Sequence, residues 1–230
     1  MNGRFARAGF VLLVIACNTS LAWAQFAHPD LKSGKIVARK VLILPPHASV
    51  TKSGMKGNES LIAESEMVEA ALPGIIAEAM QAKGCTVLDN LFAPEALEKN
   101  QDLKFAVADI QGRFDALHKH VSEKPKDVRN SRFTMGDEVA NFNPGAAADA
   151  LVFARAYGVV NTGGKKVLGA IAGVNEADYI VVDIAIVDSQ SGAVLYYGWS
   201  AAGGNYIEHP ERMKKPIESS FREWKVAKQK

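Results

Sequence analysis

The sequence is poor in the features that define several classes of protein. Its 230 residues contain two cysteines, 8% aromatic residues and nearly balanced charge, with 27 Lys and Arg against 25 Asp and Glu. Two cysteines exclude a disulfide scaffold. The ordinary overall composition excludes collagen-like, coiled-coil-only and fully disordered chains. The length allows one domain, or two small ones, with a real core.

The apolar run near the N-terminus, residues 9–17, is too short to cross a bilayer as a helix, which needs about 20 residues. It follows a short segment that carries Arg4 and Arg7, and it precedes an A-x-A site that ends at Ala24. A basic start, an apolar stretch and an A-x-A site, in this order, are typical of a signal peptide. We therefore predict that residues 1–24 are removed and that the mature protein is periplasmic or secreted.

A second interpretation of the leader uses Cys17. The tetrapeptide V-I-A-C that ends at Cys17 resembles a bacterial lipoprotein box, in which the cysteine is lipidated and becomes the new N-terminus. This alternative predicts an outer-membrane lipoprotein, although Ile15 is not the usual small residue there. Cleavage after Ala24 leaves Cys85 as the single cysteine of the mature chain, and we expect it to be a small buried hydrophobe.

The positive balance of the chain belongs to the leader. Removing Arg4 and Arg7 lowers the basic count from 27 to 25, which equals the acidic count, so the mature chain is neutral although the full chain has a pI of about 8.4. A neutral domain argues against electrostatic capture of nucleic acid or of an anionic membrane. The basic stretch 124–132 has no interleaved aromatic residues and predicts a solvated loop.

Strand and helix signals alternate early in the mature chain. The apolar run 41–44 predicts a buried strand, ended by two prolines that cannot donate to a sheet. Apolar residues at helical spacing over 72–80 predict a helix that ends at Gly84. Two starts remain open for this helix: just before Pro73, or near residue 61 with a kink at the proline.

A longer amphipathic helix is predicted over 103–121, after a strand at 85–88 and a short helical stretch at 94–99. We expect its narrow apolar seam to pack on the protein's own sheet rather than on a partner. The seam consists of Leu103, Val107, Ile110, Phe114, Leu117 and Val121.

Strand signals cluster in the second half of the chain. Segments 151–160, 179–187 and 193–201 read as strands, and the turn 188–192 joins the last two into an antiparallel hairpin. An apolar segment, 167–173, follows the first of these strands.

The spacing of Ile217, Phe221 and Trp224 predicts a C-terminal helix. Together these elements predict a mixed-sheet α/β fold: a single domain over 40–230, preceded by a lead-in over 25–39.

Two stretches come close to known functional motifs without matching them. A phosphate-binding loop over 158–166 would need Lys at position 164 and Ser or Thr at 165, where Gly164 and Lys165 stand, so we expect a turn. A nucleophile elbow around Ser200 would need glycine at position 202, where the chain has alanine. Ser200 is therefore expected on an ordinary strand.

The histidines do not form a metal-binding pattern. His118 and His120 lie about 200° apart around a helix and cannot share a metal ion. We therefore expect no metal and no cofactor, and the sequence indicates no catalytic residue. Because catalytic sites are assembled from distant residues, the absence of a motif leaves enzyme activity undecided, and we lean towards none.

The hairpin segment 187–195 reads V-D-S-Q-S-G-A-V-L, and the early block combines the strand KVLILPP, the helix ALPGIIAEAMQAKG and the strand CTVLD. In these features the chain resembles exported bacterial envelope proteins of the α/β group that includes the curli-secretion lipoprotein and the TolB N-terminal domain. The resemblance covers roughly two thirds of the mature chain and implies an α/β fold. The helix over 103–121 is additional to that pattern, and the resemblance implies neither pore formation nor catalytic residues.

The sequence thus predicts an exported, non-enzymatic envelope protein that binds another protein or an envelope polymer, in secretion or envelope assembly. The alternatives are an exported hydrolase or a small-ligand-binding protein whose site is assembled from distant residues. Nucleic acid is not an expected partner, and membrane attachment would require a lipid on Cys17. The candidate ligand or partner loops contain Gly163, Gly164, Lys165, Gly203 and Gly204.

Overall fold

The computed structural model gives the fold of most of the chain that follows the predicted signal peptide. The predicted signal peptide, including Cys17 and Ala24, and the apolar segment 167–173 lie outside the described residues. Within the described part, no helix is both long enough and apolar enough to cross a membrane. The structure describes residues 25–89, 92–130, 132–143, 146–166 and 177–224.

Strands and helices interleave along the chain, as the sequence predicts. The strands are β1 (Phe26–Ala27), β2 (Lys40–Ile43), β3 (His47–Gly54), β4 (Gly57–Ser60), β5 (Thr86–Val87), β6 (Ala150–Asn161), β7 (Tyr179–Asp188) and β8 (Val194–Gly203). The helices are α1 (Pro29–Lys32), α2 (Ile62–Ala82), α3 (Pro94–Lys99), α4 (Gln101–Glu123), α5 (Pro125–Arg129) and α6 (Lys214–Ser220), with 3₁₀ turns at Asp137–Phe142 and Pro210–Met213.

The strands form one open, mixed sheet of eight strands in the described residues, in the order β1-β8-β7-β6-β2-β5. Strand β3 also pairs with β6, and β4 pairs with β3. The pairings of β2 with β5 and of β6 with β2 and β3 are parallel, whereas those of β6 with β7, β7 with β8 and β8 with β1 are antiparallel. The mixed α/β fold expected from the sequence is confirmed.

The long strand β6 pairs with two strands on one side because prolines interrupt its neighbour. Its first residues pair with β2, up to Val152 opposite Ile43, and its later ones pair with β3, from Arg155 opposite His47. Between β2 and β3, the two prolines at 45 and 46 cannot donate to the ladder, so the chain leaves the sheet briefly and rejoins it.

One face of the sheet is covered by α2 and α6. Helix α2 passes through Pro73, so the longer of the two predicted starts is the observed one. It ends as predicted, with Gly84 at a φ of +84°, which glycine adopts without strain. Leu72, Ile76 and Met80 of α2 are fully buried in a cluster that also contains Trp224.

The opposite face is covered by α4, and the predicted seam is the side that it buries. Val107, Ile110, Phe114, Leu117 and Val121 all pack in a second apolar cluster against the sheet. The helix begins where the Asn100 side chain accepts a hydrogen bond from the Leu103 N–H, which is a regular N-terminal cap.

The late hairpin of β7 and β8 is observed as predicted, and its turn depends on glycine. Gly192 has a φ of +68°, and a Cβ there would lie 2.0 Å from the carbonyl oxygen of Gly136. Only glycine therefore fits this position of the V-D-x-x-x-G pattern. Outside the hairpin, the two-residue strand β1 pairs Phe26 with Tyr197, so the lead-in contributes a strand to the sheet.

Candidate functional site

A carboxylate lies buried in the middle of β7. Asp183 is 6% exposed and interrupts an otherwise apolar strand, YIVVDIAIV. The strand register places it between Arg155 of β6 and Trp199 of β8, on the sheet face that α4 covers. A buried carboxylate must be paired or hydrogen-bonded to remain ionised.

Three donors surround this carboxylate. The Tyr197 hydroxyl donates to Oδ1 of Asp183 at 2.9 Å, and Nδ1 of His118 lies 3.2 Å from Oδ2. Nε of Arg155 lies 3.8 Å from the same Oδ2, while Nη1 of Arg155 donates to Asp115 at 2.9 Å. We call these five residues the Asp183 cluster.

Burial keeps the Tyr197 hydroxyl protonated. It raises the pKa of Tyr197 far above its ordinary value, and the negative charge of Asp183 raises this pKa further. The hydroxyl is therefore a permanent hydrogen-bond donor to the carboxylate. Its oxygen lies 3.0 Å from Nδ1 of His118, so Tyr197 links the strand β8 to the helix α4.

A cleft of about 510 Å³ opens beside the cluster, at the C-terminal end of α4. We call it the His118 cleft. Its walls are mainly rings and aliphatic side chains, and no Lys or Arg is among the described residues that line it. The lining consists of Phe26, His118, Val121, Ser122, Pro125, Val181, Asp183, Tyr197 and Trp199.

The two histidines of α4 have different partners, in agreement with the predicted angle between them. His118 contacts the Asp183 cluster, whereas Nε2 of His120 lies 3.3 Å from Asp127, and its ring lies 4.7 Å from that of Phe133. Among the described residues, no group of three or more His, Cys, Asp or Glu side chains could hold a metal ion.

The structure places residues 163–166 in a helical turn and not in the expected β-turn, with the Thr162 carbonyl accepting from the Lys166 N–H at 2.9 Å. This segment and the second glycine-rich loop lie close together, and Asp178 joins them. Its carboxylate accepts hydrogen bonds from the Asn161 N–H at 2.8 Å and from Lys166 at 2.9 Å. Its carbonyl oxygen accepts from the Gly204 N–H at 2.8 Å. Lys166 and Gly204 border a second cleft of about 460 Å³ that Glu64 and Tyr206 also line.

The candidate residues of these loops have structural contacts. Lys165 donates to the Ser53 hydroxyl of β3 at 2.8 Å, which ties its loop to the sheet. A Cβ at position 164 would lie 3.6 Å from the sulfur of Met55, whereas one at position 163 would have no neighbour within 4 Å among the described residues. Gly203 ends β8, opposite Tyr179. A ligand-binding role for these loops stays a prediction.

The near-miss motif around Ser200 is a strand, as expected. Ser200 is fully buried in β8, and its hydroxyl has no hydrogen-bond partner in the described part of the chain. Cys85 is likewise a buried free thiol, and burial raises its pKa. Neither side chain is available as a nucleophile.

The Asp183 cluster is the feature that the sequence interpretation missed. Its members come from β6, β7, β8 and α4, and the contact from His118 to Tyr197 spans 79 positions. One signal was present: Asp183 is a charged residue within a β-branched, apolar strand, where an acid is costly unless it has partners.

Comparison with known proteins finds likeness in structure only. No protein-family model matches the chain, and no curated protein matches it significantly. Three similar solved structures are lipoprotein GNA1162 from Neisseria meningitidis, PelC from Paraburkholderia phytofirmans, solved as a dodecamer, and the LpoB C-terminal domain from Salmonella enterica.

These likenesses extend over most of each chain but are distant. GNA1162 is 12% identical with a TM-score of 0.37 and covers 73% of this chain and 81% of its own. PelC is 14% identical with a TM-score of 0.38, covering 89% and 98%. LpoB is 14% identical with a TM-score of 0.30, covering 74% and 91%. The neighbours are bacterial proteins, one of them a lipoprotein by name, and no residue role is transferred from them.

Proposed function

We propose that the chain is an exported protein of the bacterial envelope that acts by binding an envelope component in the His118 cleft. Export is supported by the leader pattern that ends at Ala24. The next residue, Gln25, is held in the fold: its side-chain amide donates to the Ser219 carbonyl at 2.8 Å and accepts from the Tyr196 hydroxyl at 3.1 Å. Cleavage after Ala24 therefore leaves these contacts of Gln25 in place.

Mass spectrometry of the protein recovered from the periplasm of a bacterial host tests export. We expect a mature chain that begins at Gln25. A chain that begins at a diacylglycerol-modified Cys17 would support the lipoprotein alternative and keep the protein in the envelope. An uncleaved chain confined to the cytoplasm would contradict the proposal.

Binding is supported by the geometry of the His118 cleft, and this is the observation that carries the proposal. The cleft has a volume within the range of about 300–1,000 Å³ typical of small-molecule sites. Its walls are mainly apolar, and contacts with Asp183 and Tyr197 orient one imidazole, that of His118, at its edge. Apolar walls with a few placed polar groups are the usual construction of a ligand site.

The exported hydrolase is the second candidate, because an imidazole oriented by a carboxylate is also part of a catalytic triad. Ser122 borders the same cleft one helical turn after His118. However, the Ser122 hydroxyl donates to the backbone carbonyl of His118 at 3.1 Å. It also lies at the C-terminal end of α4, where the helix dipole disfavours an oxyanion. The geometry therefore favours binding.

Native mass spectrometry of the protein purified from the periplasm tests the cleft. We expect a bound molecule that survives mild desalting in the wild type and in the control His120→Asn, and that is lost in His118→Asn. His120 is the matched control because it lies on the same helix but contacts Asp127 instead of the cleft. Equal retention by both variants, or no adduct in the wild type, would count against the proposal.

A further inference from the structure

The hydrogen bonds of the Asp183 cluster determine which nitrogen of His118 carries the proton. Tyr197 uses its single O–H to donate to Asp183, so its oxygen accepts from Nδ1 of His118 at 3.0 Å. Oδ2 of Asp183 is also an acceptor for this nitrogen at 3.2 Å. Nδ1 is therefore protonated, and in the neutral ring Nε2 keeps its lone pair.

The carboxylate of Asp183 has little capacity left for a ligand, whereas Nε2 of His118 does. Asp183 faces donors from Tyr197, His118 and Arg155, and its side chain is 8% exposed. The His118 side chain is 36% exposed, and in the described part of the chain its Nε2 has no hydrogen-bond partner. In its neutral form, His118 thus offers a ligand one hydrogen-bond acceptor, beside the hydroxyl of Ser122.

The residues that line the His118 cleft determine which chemical groups the ligand carries besides its hydrogen-bond donor. Trp199 supplies a partly exposed ring, Phe26 and Tyr197 supply buried rings that are 5% and 1% exposed, and Val121 and Val181 supply aliphatic surface. Aromatic ligands pack on such rings in offset or edge-to-face arrangements. An ionised ligand would lose its hydration against these walls, and no Lys or Arg is among the described residues that line them. A phenolic hydroxyl is a good donor to an imidazole nitrogen and brings its own ring.

We infer that the His118 cleft binds a small, neutral aromatic alcohol, whose hydroxyl donates to Nε2 of His118 and whose ring packs on the aromatic wall. This inference rests on the proposed binding function and adds the chemical class of the ligand. The cleft volume of about 510 Å³ accommodates a small molecule of this kind.

Two probes that differ in one proton donor test the inference. Calorimetric titration with 4-methylphenol and with 4-methylanisole, its methyl ether, compares a ligand that can donate with one that cannot. For the wild type we expect 4-methylphenol to bind about tenfold more tightly, because the ether leaves Nε2 of His118 without a donor. Equal affinity for the two probes, or no binding of either, would overturn the inference.

Substitutions at His118 distinguish the roles of its two ring nitrogens. In His118→Asn the amide nitrogen takes the place of Nδ1 and keeps the contact to Asp183, while the outer acceptor is lost, so the preference for the phenol should disappear. In His118→Gln the longer side chain restores an acceptor near Nε2, so part of the preference should return. His120→Asn should behave as the wild type. A preference that survives in His118→Asn would overturn the inference, and thermal melting of each variant verifies that it folds.

The two proposals fail in different ways. If the probes do not discriminate but the adduct from the periplasm is still lost in His118→Asn, the ligand class is wrong and the binding function stands. If neither the probes nor an adduct binds, the binding function itself is wrong.

Discussion

The two faces of the sheet are covered in different ways. On one face, α2 and α6 pack over an apolar cluster that includes Leu72 and Trp224. On the other face, α4 covers one end of the strands, and Tyr157 and Tyr179 further along the sheet are each 40% exposed. Under α2 and α6 the interior is almost wholly apolar. At the C-terminal end of α4, by contrast, a buried carboxylate and a cleft occur side by side.

The position of Asp183 follows from this difference. It is the only charged side chain that is buried among the described residues, and it lies beside the cleft at the end of α4. A carboxylate there can take donors from both the sheet and the helix, Tyr197 and Arg155 from strands and His118 from α4. On the face under α2 the same residue would meet hydrocarbon.

The largest expected effect on the free energy of unfolding comes from the apolar seam that packs α4 against the sheet. Phe114 is fully buried in the seam, with its ring centroid 5.7 Å from that of Phe153. Phe114→Ala should lower the free energy of unfolding by about 3–5 kcal/mol, because it leaves a cavity between helix and sheet. Urea denaturation measures this change.

Phe105→Ala is the matched control for this prediction. Phe105 lies on the same helix but is 71% exposed, so its loss should change the free energy of unfolding by about 0.5 kcal/mol or less. Similar losses of unfolding free energy from the two variants would mean that the apolar seam does not hold α4 on the sheet. The contrast between the buried and the exposed side of this helix would then fail.

The next largest effect concerns one buried polar side chain on each face of the sheet, Asp183 and Ser200. Asp183→Ala removes the acceptor of Tyr197 and His118 and should lower the free energy of unfolding by about 3 kcal/mol. On the other side of the sheet, the buried hydroxyl of Ser200 has no partner in the described residues. Ser200→Ala should therefore be neutral or slightly stabilising.

Chemical denaturation of both variants measures this pair of changes. A loss of less than about 1 kcal/mol for Asp183→Ala would show that the cluster contributes little to the fold. A comparable loss for Ser200→Ala would show that the two faces treat polar groups alike.

Elements with local periodicity could be predicted from the sequence. The seam of α4 repeats every three or four residues, so the helix is visible over 103–121 and is observed at Gln101–Glu123. The hairpin is visible because both strands and its turn are contiguous in sequence. By contrast, β1 has two residues and β4 has four exposed ones, GNES, so neither carries a pattern. Their pairing partners, not their own residues, make them strands.

The candidate site could not be predicted from the sequence for the same reason. The predicted loops at Gly163–Gly164 and Gly203–Gly204 are marked by composition, and Asp178, which joins them, is not. The Asp183 cluster unites residues from four elements, and its geometry depends on the register between β6, β7 and β8. Register is set by packing across the whole sheet, which a single sequence does not display.

A smaller effect tests whether the cluster acts as a unit. In a double-mutant cycle, Tyr197→Phe and His118→Phe should show a coupling of about 1 kcal/mol in the free energy of unfolding, since the two side chains share a hydrogen bond and a common acceptor. Tyr197→Phe and His120→Phe should couple by less than about 0.5 kcal/mol, because His120 contacts Asp127 on another side of the helix. Equal coupling in the two cycles would contradict a localised cluster.

The smallest effects come from one exposed ion pair on each face, and they should appear at opposite ends of the pH range. On the α4 face, Arg113 donates to Glu138 at 2.8 Å, and this hydrogen bond lowers the pKa of Glu138. On the α2 face, Lys214 donates to Glu78 at 2.6 Å, which raises the pKa of Lys214.

Melting temperatures of Glu138→Gln and Lys214→Gln, measured from acid to alkaline pH, test this contrast. A lowered carboxyl pKa stabilises the fold above the ordinary value of 4.5, and the contribution is lost as the pH falls through the lowered pKa. A raised lysine pKa stabilises the fold below the ordinary value of 10.5, and the contribution is lost as the pH rises through the raised pKa. The deficit of Glu138→Gln relative to the wild type should therefore vanish in acid, and that of Lys214→Gln should vanish in alkali. If both deficits faded at the same end, these contacts would not be what holds the outer edges of α4 and α6 in place.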